Sequence, residues 1–181
     1  VLSHTLLDEY VAPLLTRGEK VYLFVIDCFR LDHWLAIEPM LDNLFQFQRS
    51  LYYSLLPTAT PFCRNALFSG LLPRDLAKLF PDTYQIGGHE ETGMNVHEAE
   101  LLDRYLIRKG VPSDRKRHFE KIANTENALA LRKKLPGFRD HQLVTVVYNF
   151  VDLLSHHRSA SDILQEIAPD EAAFRSLTRS W

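Results

Sequence analysis

Two apolar runs of strand length constrain the fold most: VYLFVI at 21–26 and QLVTVVYNFV at 142–151, both rich in Val and aromatic residues and flanked by polar ones. A strand buried on both faces reads as a near-continuous apolar run, and such strands belong to parallel sheets covered by helices. Around them, apolar residues recur at helical spacing in segments 5–16, 33–45, 60–69, 73–80, 98–109 and 125–135, and near 160–167 and 170–180. Segment 47–56, FQRSLYYSLL, alternates loosely and reads as a further strand. Strands separated by helices predict an α/β fold, a mostly parallel sheet flanked by helices. Segment 81–97 has no clear period and holds Gly87, Gly88 and Gly93, so it reads as a long connection or lid, with His89 and His97 as exposed loop residues.

Composition narrows the class. With 181 residues, 46% apolar and 24% charged, the chain suits one substantial soluble domain or part of a larger one and excludes a disordered polymer. The apolar runs fall far short of the ~20 residues needed to span a bilayer. Cys28 and Cys63 are the only cysteines, which argues against a disulfide framework and for a reducing, cytoplasmic setting. A net charge of −2 argues against generic nucleic-acid binding, and the basic runs at 108–118 and 132–134 read as solvated helix faces or loops. The chain opens without Met in an amphipathic helix and stops at Trp181 within a polar helical stretch. Both ends read as cuts: residues 1–18 as a linker helix, and 19–181 as the N-terminal part of a C-terminally truncated domain.

In open parallel sheets, ligands bind beyond the carboxyl ends of the strands. Three chemically able groups are expected there. Asp27 ends the first strand, where a carboxylate must be paired, hydrogen-bonded, used as a cap or bound to a metal. Thr60 precedes Pro61 at the end of LPTATP, a helix N-cap position whose free N–H groups and dipole also suit a phosphate. Asp152 and His156, in NFVDLLSHHR, are four apart and share a face if the chain turns helically, a carboxylate and imidazole pair of the sort zinc or manganese accepts. His157 is the alternative imidazole, though it should point away from Asp152. Together these groups favour a metal-assisted hydrolase. Cys28 and Cys63 read as small buried thiols with no mark of reactivity.

The order IDCFRLD, then PTATPFCRNALFSGLLP, then YNFVDLLSHH resembles the PglZ domain of the alkaline phosphatase superfamily, most of all the output domain of PorX-type response regulators of type IX secretion. The resemblance runs from about Val21 onward and implies an alkaline-phosphatase-like fold. It implies that Thr60, ten residues before Gly70 of the Ser69-Gly70-Leu71-Leu72-Pro73 ending, is the nucleophile and a metal ligand. Asp27 would hold the metal that also holds the Thr60 hydroxyl, and Asp152 with His156 a second one. Asn65 and Arg64 are candidates, by position, for holding a phosphate oxygen, and Thr58 is the fallback nucleophile.

The resemblance further implies a zinc-dependent phosphodiesterase or phosphatase with two ions, acting on nucleotide or oligonucleotide phosphodiesters, and a receiver domain in the same full-length protein. The superfamily's further Asp-His pair and later His have no counterpart after His157, so the chain alone is expected to bind metal weakly, if at all, and to be inactive. A rival expectation is a non-catalytic signalling output module that binds a regulatory partner or forms a homodimer. A sulfatase or mutase of the same superfamily fits less well, since those use Cys or Ser where this chain has Thr60.

Overall fold

A six-residue strand buried along its length needs neighbours on both sides. Leu143–Tyr148 has them, at the centre of a three-stranded parallel sheet of order β1-β3-β2. The computed structural model describes residues 1–84, 95–112, 114–158 and 161–180. Along the chain run α1 (Leu6–Tyr10), α2 (Ala12–Thr16), β1 (Val21–Ile26), α3 (Leu31–Leu41), α4 (Thr60–Ser69), α5 (Pro73–Leu79) and α6 (Glu98–Arg108). There follow β2 (Arg117–Ile122), α7 (Thr125–Lys134), β3 (Leu143–Tyr148), α8 (Phe150–Arg158), α9 (Asp162–Ile167) and α10 (Glu171–Ser180). The α/β class with flanking helices is the one expected. Segment 85–94, with Gly87, Gly88, Gly93 and His89, lies outside the described residues.

Three local expectations are corrected. FQRSLYYSLL forms no strand; its ladder is reduced to one parallel bridge between Tyr53 and Leu2. Leu51, Tyr53 and Leu56 are exposed, so the loose alternation has no buried face to fix a register. A strand absent from the sequence reading appears at Arg117–Ile122, its first two residues being the end of the basic run 108–118. It sits at the edge of the sheet, where charged side chains are tolerated and serve to blunt pairing. The opening helix is broken at Val11, because Pro13 lacks the N–H that would continue it.

The chain divides into two compact units, one of Val1–Tyr22, Ser50–His118 and Asp140–Val144, the other of Leu23–Arg49, Phe119–Arg139 and Thr145–Trp181. In the first, α4 packs on α6, and Leu7, Leu15, Phe68, Leu101 and Tyr105 are fully or almost fully buried. The segment read as a linker is part of this core. In the second, Val151 and Leu154 of α8 join Ala168 and Phe174, with Ile26 and Phe29 against them. There α10 packs on α3.

Candidate metal centre and nucleophile motif

In the second unit, the ends of β1 and β3 bring their residues together. The Asp27 N–H donates to the Tyr148 carbonyl at 2.9 Å, carrying the pairing one residue past β1. The chain then turns through Cys28, whose φ of 54° is left-handed. Beyond β3, α8 begins at Phe150 and is held by Val151 and Leu154 in the core. With one face of α8 so fixed, Asp152 is half-buried beside Asp27, and His156 is largely exposed.

Asp27, Cys28 and Asp152 each offer a ligand atom, and these atoms lie within 4.8 Å of one another. The Cys28 thiol donates to Asp152 Oδ1 at 2.9 Å, and the Cys28 N–H donates to Asp27 Oδ1 at 3.1 Å. His156 Nε2 lies 3.4 Å from Asp152 Oδ1, so it reaches the group through Asp152. Two carboxylates at such range repel, and a shared cation relieves the repulsion. Carboxylate, imidazole and sulfur donors are those zinc takes, so the residues present fit a divalent metal. Of the expected ligands, Asp27 and Asp152 are brought together and His156 lies beside Asp152; the side chain of His157 lies outside the described residues. Cys28 is the member that sequence reading passed over. Its one signal was adjacency to Asp27, and a left-handed turn that places sulfur beside a carboxylate 124 residues away has no sequence signature.

The nucleophile motif lies in the first unit. Thr60 is the first helical residue of α4 rather than its N-cap: the cap is Ala59, whose carbonyl accepts from the Phe62 and Cys63 N–H groups at 3.0 Å each. Ala59 makes no side-chain capping bond, because alanine has no acceptor to offer. Thr60 is half-buried and Thr58 is exposed.

The two phosphate-oxygen candidates are both engaged within the unit. Asn65 Nδ2 donates to the Pro61 carbonyl at 2.7 Å and to Asn95 Oδ1 at 2.9 Å. Arg64 donates to both carboxylate oxygens of Glu98 at 2.7 and 2.6 Å, and both side chains are buried. Arg64 thus ties α4 to α6. Gly70 ends α4 with φ of 65°, and a Cβ there would lie 2.6 Å from the Tyr105 ring, so the motif's glycine is demanded by packing as well as by conformation. His97, at the start of α6, pairs with Glu100 at 3.2 Å on the surface, in keeping with a polar loop residue.

The family model described as the BREX system PglZ alkaline phosphatase-like domain matches residues 6–179. No curated protein matches the chain. Among the described residues, no helix is long and apolar enough to cross a membrane.

Proposed function

Because the chain belongs to the PglZ family of alkaline phosphatase-like domains, we propose that it carries the metal-holding part of a cytoplasmic phosphoesterase-type hydrolase that cleaves nucleotide or oligonucleotide phosphodiesters. The observation that carries this is the meeting of Asp27 and Asp152 at the ends of neighbouring strands, with His156 on Asp152. These three residues would hold zinc. Bound zinc supplies Lewis-acid stabilisation of negative charge on the phosphoryl oxygens.

Thr60 would supply the attacking hydroxyl. Two features support that role: the hydroxyl stands at a helix N-terminus, whose dipole favours an anionic group nearby, and α4 is tied to its neighbours by the Arg64–Glu98 and Asn65–Asn95 bonds. Arg64 and Asn65 then act as positioning residues that keep the first turn of α4 in place.

The motif order IDCFRLD, PTATPFCRNALFSGLLP, YNFVDLLSHH further supports a PorX-type output domain, with a receiver domain in the same protein and an additional Asp-His pair and His completing the site. In that setting the 181 residues alone would be inactive. The test is zinc-dependent cleavage of a generic phosphodiester by the complete domain. Thr60→Ala should lower it by roughly a thousand-fold or more. Full activity in that variant would overturn the assignment and move the nucleophile to Thr58.

The exposed Leu51, Tyr53 and Leu56 favour a second reading, a signalling module that binds a regulatory partner or a second copy. Partner binding or self-association that survives Thr60→Ala in a protein without cleavage would establish it.

A further inference from the structure

We infer that Ser3 is a positioning residue for the proposed nucleophile: it seats the stretch 53–57 that leads into Thr60. This rests on the reading of Thr60 as the attacking group and deepens it, because it names what holds the approach to that hydroxyl. The Leu55 N–H donates to Ser3 Oγ at 3.2 Å, and the Tyr53 N–H donates to the Val1 carbonyl at 3.0 Å. Ser3 is 2% exposed, so its hydroxyl is a fixed acceptor rather than one shared with water.

Apolar burial does little to seat this stretch, because Tyr53 and Leu56 are exposed, as is Leu51 just before it. A segment held by few apolar contacts opens locally at low cost, and hydrogen bonds then set its place. Ser3 is suited to be the fixed point. It lies in a single 3-10 turn, Ser3–Thr5, braced by the Leu2 N–H donating to Thr5 Oγ1 at 2.9 Å and by the Thr5 N–H donating to the Leu2 carbonyl at 2.9 Å. That turn packs on α4, the helix that Thr60 begins. Cys63 ties α4 to the same stretch: its thiol lies 3.2 Å from Ser54 Oγ and reaches the Leu55 and Pro57 carbonyls at 3.3 and 3.5 Å. The helix that carries Thr60 and the stretch that leads into it are thus both referred to the turn at Ser3. Removing the Ser3 hydroxyl takes away the acceptor of the Leu55 N–H and loosens the approach to Thr60, and a misplacement of about 1 Å at a reacting group can cost about a hundredfold in rate.

The test uses the complete domain and reads peptide-resolved hydrogen exchange, alkylation of Cys63 and zinc-dependent cleavage of a generic phosphodiester. Ser3→Ala should raise exchange at Leu55 by at least about fivefold, the effect of losing one hydrogen bond, and should speed alkylation of Cys63, with exchange in β3 unchanged. It should lower kcat by about tenfold or more with KM and zinc affinity unchanged. Cys63→Ala should act in the same direction, and Cys63→Ser, which keeps a donor for the Leu55 and Pro57 carbonyls, should restore most of the rate.

Unchanged exchange at Leu55, or a rise shared equally by β3, would overturn the seat. A local rise with undiminished kcat, in a domain that Thr60→Ala inactivates, would overturn the positioning role and leave Thr60 as the nucleophile. Full activity in Thr60→Ala, with or without the local rise, would overturn the nucleophile reading instead.

Discussion

The Arg64–Glu98 pair is the sharpest energetic claim in the structure, because it decides whether Arg64 anchors a helix or serves a ligand. The two side chains are 7% and 0% exposed and joined by two bonds of 2.7 and 2.6 Å. Removing one partner of a buried pair leaves an uncompensated charge and costs about 3–5 kcal/mol, whereas replacing both with apolar groups of similar volume is often close to neutral. Glu98 is the first residue of α6, where the helix dipole helps an anion by about 1 kcal/mol. Arg64→Met and Glu98→Met should each be destabilising, with the double variant recovering part of the loss. For a chain of this size, 3–5 kcal/mol corresponds to a drop of about 6–20 °C in the melting temperature. Urea unfolding with an unchanged slope gives the free energies, and the double-mutant cycle isolates the coupling. Single variants that each cost under about 1 kcal/mol, or a double variant that costs their sum, would refute the pairing and return Arg64 to the phosphate-oxygen role.

Gly70→Ala should cost about 2–4 kcal/mol in urea unfolding, combining a left-handed backbone with a clash against the buried Tyr105 ring, and Tyr105→Leu in the same chain should recover part of it. In the complete domain, Asp152→Asn and His156→Ala should each lower zinc affinity by at least about tenfold, read by zinc titration, and an unchanged affinity in His156→Ala would remove it from the ligand set. His33 is buried between Phe29 and Phe174, and its Nε2 finds no hydrogen-bond partner among the described residues. Burial pushes its imidazole pKa down, opposed by Asp32 and Glu171 and reinforced by Arg30 and Arg175. The unfolded chain takes up that proton near pH 6.5, and the folded chain only at lower pH. The stability linked to His33 is thus whole above about 6.5 and lost as pH falls through the folded value. His33→Phe should flatten the acid limb of stability against pH, and an unchanged limb would show that other groups cause it.

How much of this was legible in the sequence differs by element, for physical reasons. β3 announced itself because burial demands a long apolar run, and α4 because Pro61 and Gly70 mark its ends; β1 showed the same kind of run although Tyr22 and Phe24 are exposed. β2 was hidden, since an edge strand tolerates the Arg, His, Glu and Lys of Arg117–Ile122. FQRSLYYSLL misled because β-propensity means little without a partner strand. At the candidate site, the nearness of Asp27 to Asp152 was readable from strand ends, and that of His156 to Asp152 from helical spacing. Cys28 was not, since its place depends on a turn that no local pattern encodes. The capping role of Thr60 failed by one residue, the usual uncertainty of a helix boundary.

The carboxylate cluster and the helix motif bear on function with unequal weight. The stretch Arg64–Gly70 of the PTATPFCRNALFSGLLP motif is explained by folding alone: Arg64, Asn65, Ala66, Leu67, Phe68 and Ser69 are buried, and Gly70 is required by Tyr105. A chain that had lost catalysis would keep those residues for stability, so the motif establishes kinship more firmly than activity. Asp27 and Asp152, by contrast, are half-buried carboxylates with ligand atoms within 4.8 Å of each other, and Cys28 and His156 lie within hydrogen-bonding reach of Asp152. Like charges so placed repel, and a cation would ease the repulsion. Metal binding at Asp27 and Asp152 is therefore the decisive measurement for this chain, ahead of any test of the helix motif.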